Sequence, residues 1–188
     1  MTGHYLDNAA TTPVRMEAAQ AAMKAMTEEW GNPSARHALG SQAAERVKQW
    51  RSEVAAGLGC LPEEVVFTSC GTESDNWAIR AAAELGKRKG KHIITTAIEH
   101  AAVLEPCRAL EREGYEVTYL QPDRSGNITA RQVKEALRPD TILVSMMLVN
   151  NELGTVLPVA QAARLVRRLG SSALIHCDGV QGFLKIPF

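Results

Sequence analysis

A small set of residues in this chain could act together on one ligand: Gly71, Thr72, His100, Asn151, Asp178 and Gln181. The run Ser69-Cys70-Gly71-Thr72 lies between a strand-like stretch and a helix-like one. At a helix start, free backbone N–H groups and the helix dipole favour a phosphate, and Gly71 lets the backbone come close. An imidazole such as His100 can stack on a flat ring, and the amides of Asn151 and Gln181 can bond ring substituents. The carboxylate of Asp178 can hold a pyridinium nitrogen protonated. That combination suits pyridoxal 5'-phosphate, whose electron sink depends on an acidic partner. Neither GxGxxG nor GxxxxGK[ST] occurs, which disfavours a dinucleotide or a P-loop nucleotide. Each group also has a plainer reading. Residues 68–74 could be a helix cap with Glu73 in the first turn, His100 a second cap, and Asn150-Asn151 and Asp178 turn residues.

The elements that would carry these groups follow from periodicity. Helical spacing predicts helices over 15–30, 41–58 with Gly59 as its C-cap, 72–85, 101–113, 129–137 and 159–169. Apolar and β-branched runs predict strands at 65–69, 92–96, 116–120, 141–149 and 173–177. Strands separated by helices require crossover connections. The fold class expected is therefore α/β, a three-layer α/β/α sandwich with a mainly parallel sheet. In open parallel sheets ligands bind outside the carboxyl ends of the strands, and there the predicted set collects. No repeat, low-complexity tract or obvious linker breaks the chain, which reads as one domain.

Composition excludes several other classes. With 188 residues, 45% hydrophobic and 22% charged, the chain has the make-up of an ordinary globular protein with a sizeable core. The 21 basic and 21 acidic residues cancel, so no global charge steers it toward nucleic acid or an acidic membrane surface. No apolar run approaches the roughly 20 residues a bilayer needs, and the first residues lack a signal-peptide layout, so a cytoplasmic location is expected. The cysteines Cys60, Cys70, Cys107 and Cys177 form no CxxC pair, and the five histidines form no HExxH or HxxxH pair. Neither a disulfide framework nor a metal site is expected.

Seven stretches in this order, YLDNAATTP, GNPSARH, FTSCGTESDN, the EH of TTAIEHAAVLEPC, LRPDTILVS, VNNELGTVLPV and HCDGVQGFLKIP, together resemble the N-terminal part of the NifS/IscS-type cysteine desulfurases. These are class V aminotransferase-like enzymes of the fold-type I pyridoxal phosphate superfamily. The resemblance runs from Tyr5 to Pro187. It implies that Gly71 and Thr72 bind the cofactor phosphate and that His100 stacks on the ring and assists proton transfer. Asn151 would sit near the phenolic oxygen and the substrate carboxylate, Asp178 would pair with the pyridine nitrogen, and Gln181 would bond the phenolic oxygen.

The implied activity is removal of sulfur from L-cysteine, giving L-alanine and an enzyme persulfide for iron–sulfur cluster assembly or tRNA thiolation. A homodimer and an iron–sulfur scaffold or other sulfur-acceptor protein are the implied partners. Cys70, Gly179 and Leu148 depart from the family's usual residues at their positions without removing a cofactor contact. The family's SxHK segment with the Schiff-base lysine, its sulfur-accepting cysteine and its carboxylate-binding arginine match nothing here, and Lys185 belongs to the KIP match. Residues 1–188 are therefore expected to be an N-terminal segment plus most of a large cofactor domain, without the small C-terminal domain and inactive alone. A selenocysteine lyase or another class V enzyme is an alternative. If 188 residues is the natural length, so is a non-catalytic cofactor-binding or interaction module.

Overall fold

The long apolar run within 141–149 has no charged face to turn toward water and suits a central strand covered on both sides, and the β-branched run at 92–96 suits a strand beside it. In the computed structural model, which describes residues 3–187, they are central. Strands β1 (His92–Thr96), β2 (Glu116–Leu120), β3 (Thr141–Met147) and β4 (Leu174–Asp178) form a four-stranded sheet in the order β2-β1-β3-β4, with every pairing parallel. Every residue of β1 and β3 is buried. The buried imidazole of His92 bridges the sheet, with Nδ1 2.7 Å from Thr141 Oγ1 and Nε2 2.8 Å from Thr118 Oγ1.

Helices α1 (Met16–Thr27), α2 (Ala38–Leu58), α3 (Gly71–Gly86), α4 (Ala101–Arg112), α5 (Ala130–Ala136) and α6 (Val159–Arg168) complete the chain, with one 3-10 turn at Pro62–Glu64. It divides into two compact units, Met1–Phe67 and Thr68–Phe188, and the sheet belongs to the second. Within that unit the strands send side chains to two cores. Ile93 and Leu143 pack with Ile79, Ala82 and Ala83 of α3 and Val103, Cys107 and Leu110 of α4. Ile94, Val144 and Met146 pack on the other face with Val133 of α5 and Ala162 and Val166 of α6. This is the three-layer α/β/α arrangement. Ile94 is fully buried, so Ile94→Ala should cost about 2 to 5 kcal/mol of unfolding free energy in urea denaturation, the range for truncating a core aliphatic.

In the first unit, α2 ends where the sequence predicts, with Gly59 in the left-handed region at φ 68°. The α1 helix stops three residues short of the predicted end, and Glu29 just beyond it pairs with Lys24 at 3.0 Å and with Arg46 of α2 at 2.9 Å. The strand predicted at 65–69 does not form, and this corrects the sequence reading. Val66 and Phe67 are 60% and 50% exposed, and no other strand pairs with the segment among the described residues. Its polar backbone groups take local partners instead. Val65 N–H donates to Pro62, the Val65 carbonyl accepts from the Arg51 guanidinium, and Ser69 N–H donates to Glu73. A β-branched and aromatic run becomes a strand only where a neighbouring strand can satisfy it.

Candidate functional site

The predicted residues lie at the carboxyl edge of the sheet. After β1 the chain turns through Glu99 and His100, and His100 N-caps α4 with Nδ1 accepting from Ala102 N–H at 3.1 Å. That bond holds the ring of a residue that is otherwise exposed. Pro106 lies inside α4 and has no N–H for the carbonyl of Ala102 four residues earlier. Asn76 of α3 supplies the missing donor through Nδ2 at 3.2 Å, which ties the starts of the two helices together.

Helix α3 starts at Gly71 with Cys70 as its N-cap, and the amides of its first turn have no acceptor within the helix. Glu73 folds back to accept from Ser69 N–H at 2.6 Å and Ser69 Oγ at 2.8 Å, and these bonds, the backbone one first, hold its carboxyl below the usual range. The exposed Cys70 thiol is lowered by the Glu73 amide and then by the Ser69 hydroxyl. Thr72 is exposed at the first turn. A Cβ on Gly71 would stand 2.8 Å from Val180 Cγ2, so the turn after β4 sits directly against this helix start.

At the end of β3, Asn150 is the structural member of the asparagine pair. Its Nδ2 donates to the Ile98 carbonyl at 2.8 Å, and its Oδ1 accepts from the amides of Glu152 at 2.9 Å and Leu153 at 2.7 Å. Asn151 follows it and is half-buried. At the end of β4, the carbonyl of Asp178 accepts from Leu148 N–H at 2.9 Å, and its buried carboxylate accepts from Val180 N–H at 2.9 Å. Burial raises the Asp178 carboxyl above its ordinary value. Asp75 adds to the rise, and Val180 N–H, His176 and His100 oppose it. Gln181 lies half-buried in the following turn, where its Oε1 accepts from Lys185 Nζ at 3.3 Å.

Gly71 is thus brought against the Asp178 turn, and His100 is among the groups that oppose the rise of the Asp178 carboxyl. Thr72 and Asn151 reach the same edge without a side-chain hydrogen bond to another of the predicted residues. Four groups outside the predicted set join them, His176, Asp75, Ser145 and Glu99. His176 Nε2 lies 3.3 Å from Asp75 Oδ1 of α3, and His176 Nδ1 lies 2.8 Å from Ser145 Oγ of β3. The available signals were the two-residue spacing of His176 and Asp178, which puts both on one face of a strand, and Asp75 four residues before Ile79 on the buried stripe of α3.

Glu99 is the third buried carboxylate at this edge, 6% exposed. Its Oε1 accepts from Thr96 Oγ1 at 2.6 Å and Met147 N–H at 3.0 Å, while Oε2 has no partner. Burial pushes its carboxyl up to about 7 from 4.5. Between those values the folded chain holds a proton that the unfolded chain has released. Stability from this group is therefore fully present below about 4.5 and is lost as pH rises through about 7, by on the order of 3 kcal/mol. Glu99→Gln keeps the Oε1 acceptor without the charge. It should lose most of the parent's decline in stability toward pH 8, measured by urea denaturation across the pH range, and parallel profiles would show that Glu99 does not titrate there.

Residues 4–188 match the family model described as Aminotransferase class-V. The chain is similar to the cysteine desulfurase IscS of Anaeromyxobacter sp. (strain K), 48% identical over 185 residues that make up 98% of this chain and 45% of the relative. Among solved structures it is similar to a NifS-like protein, with a TM-score of 0.92, 40% identity, and coverage of 97% of this chain and 50% of the other. It is also similar to SspA in complex with cysteine, with a TM-score of 0.84, 41% identity, and coverage of 92% and 49%. The chain spans about half the length of these relatives.

Proposed function

Because the chain belongs to the aminotransferase class-V family, we propose that it provides the cofactor-binding part of a cysteine desulfurase, an enzyme that takes L-cysteine to L-alanine and passes the sulfur to a protein thiol. The observation that carries this reading is the buried carboxylate of Asp178 at the end of β4, with His100 acting on it and the start of α3 packed against the same turn. The similarity to SspA with cysteine and to IscS favours cysteine as substrate.

Pyridoxal 5'-phosphate, when bound, supplies the electron sink that lets Cα of an amino acid lose a proton. The residues at the edge fit it. Gly71 and Thr72 offer first-turn amides to an anion, and the space over Gly71 is too tight for a Cβ. The buried carboxylate of Asp178 at the end of β4 suits a cation such as a protonated ring nitrogen. Asp178 would pair with that nitrogen, His100 would stack on the ring and move a proton, and Asn151 and Gln181 would bond the phenolic oxygen. Asn151 would also orient the substrate carboxylate.

No lysine of residues 1–188 stands in the SxHK pattern that carries the Schiff base in the family, so this stretch alone is proposed to be inactive. A homodimer, a sulfur-acceptor or iron–sulfur scaffold protein and a cytoplasmic setting belong to the same proposal. No helix among the described residues is long and apolar enough to cross a membrane. The test is to titrate the full-length protein with pyridoxal 5'-phosphate and to assay alanine and sulfide from cysteine. Saturable binding with equal yields of both products in the presence of a reductant is expected. A protein that binds no pyridoxal phosphate would overturn the reading.

A further inference from the structure

Asp75, Glu99 and Asp178 are 5%, 6% and 7% exposed, and they act on one another, Asp75 on Asp178 and Asp178 on Glu99. Buried carboxylates this close repel one another and need a cation or a proton nearby. The charged side chains acting on Asp178 are Asp75 of α3, His176 of β4 and His100 at the start of α4, while Glu99 at the end of β1 is itself raised by Asp178. Two thiols adjoin the group: Cys177 alternates to the opposite side of β4, and the buried Cys107 of α4 is raised by burial and by Glu99. Of the two histidines, His100 is exposed and commits Nδ1 to the Ala102 amide.

His176 is placed differently. Its side chain is 13% exposed, and both ring nitrogens are held, Nε2 by Asp75 at 3.3 Å and Nδ1 by Ser145 Oγ at 2.8 Å. The parallel register of β3 and β4 sets Ser145 beside His176 and Met147 beside Asp178, so the imidazole and the Asp178 carboxylate are next neighbours on one strand face, about 6.7 Å apart along the strand. Asp75 accepts and the Ser145 hydroxyl can accept, so the surroundings suit an imidazolium that donates from both nitrogens. The order serine, histidine, aspartate is that of a nucleophile triad, but Ser145 is fully buried and no substrate reaches it.

We propose that His176, clamped by Asp75 and Ser145, is a positioning residue: it is the cationic neighbour that keeps Asp178 ionised and ready for a protonated ring nitrogen. The proposal rests on the reading of Asp178 as the partner of pyridoxal phosphate, and the test separates the two. In the full-length protein with labelled histidine, nitrogen NMR at pH 7 should find both ring nitrogens of His176 protonated. A neutral His176 overturns the proposal whatever the cofactor does.

His176→Gln keeps hydrogen-bonding capacity toward Asp75 and Ser145 but removes the charge. The dissociation constant for pyridoxal 5'-phosphate, measured by absorbance from pH 6 to 9, should rise about tenfold at pH 7, and the onset of tight binding should move to higher pH. An affinity profile identical to the parent's also overturns the proposal. If His176→Gln does not fold, the NMR measurement on the parent decides alone. If the parent binds no pyridoxal phosphate, the functional reading fails and the charge state of His176 is still decided.

Discussion

Asp178→Asn in the full-length protein is expected to lower kcat for cysteine desulfuration by a factor of about a hundred or more while the fold keeps its stability. The separation of the two effects follows from what each atom of Asp178 does. Its carbonyl carries the bond from Leu148 N–H, and one carboxylate oxygen accepts from Val180 N–H; an asparagine carbonyl oxygen can do the same. The substitution also removes a buried charge that Asp75 repels, so the melting temperature should stay level or rise slightly. What asparagine cannot do is hold a proton on a ring nitrogen by charge, and that loss falls on the chemical step. Kinetics and thermal melts of the same preparation check this. Equal turnover would remove Asp178 from its role, and a large fall in melting temperature would mean that its function is structural.

The second large effect is expected at Gly71. Alanine is the better helix former by about 1 kcal/mol, so on local grounds Gly71→Ala at the start of α3 should be harmless or stabilising. The packing reverses that expectation, because the new Cβ would stand 2.8 Å from Val180 Cγ2. Val180 has a restricted χ1, so relieving the contact takes a less favourable Val180 rotamer or a shift of α3 or of the turn after Asp178. Pyridoxal phosphate affinity should fall by a factor of ten or more, since the phosphate amides and the ring partner are displaced relative to one another. Trimming the obstacle with Val180→Ala in the same chain should restore most of the loss. Failure of that second change to restore binding would place the cause elsewhere than in this contact.

The sequence and the structure agree best where one element decides its own fate. β1 and β3 read as strands because their β-branched and apolar residues carry no charge, and Gly59 reads as a helix end because its positive φ is what glycine tolerates. His100, Asn151 and Asp178 can be singled out in the sequence because each comes within a few residues of a predicted strand's end. The run at 65–69 has the composition of a strand, yet strand formation depends on a neighbour that no local pattern specifies. The Asp75–His176–Ser145 contacts were hidden for a related reason. They depend on the register of β3 against β4 and on which side of the sheet α3 lies, and both are properties of the assembled unit.

The bond from Asn76 to the carbonyl freed by Pro106 carries an evolutionary consequence. A residue with an N–H at position 106 would satisfy Ala102 from within α4 and make the amide at position 76 redundant, whereas proline at 106 leaves a carbonyl that an apolar residue at 76 would strand without a donor. The order of substitution is thus constrained: position 106 must change before position 76 is free to drift. Across related chains the two positions should vary as a pair, although 30 residues separate them in the sequence.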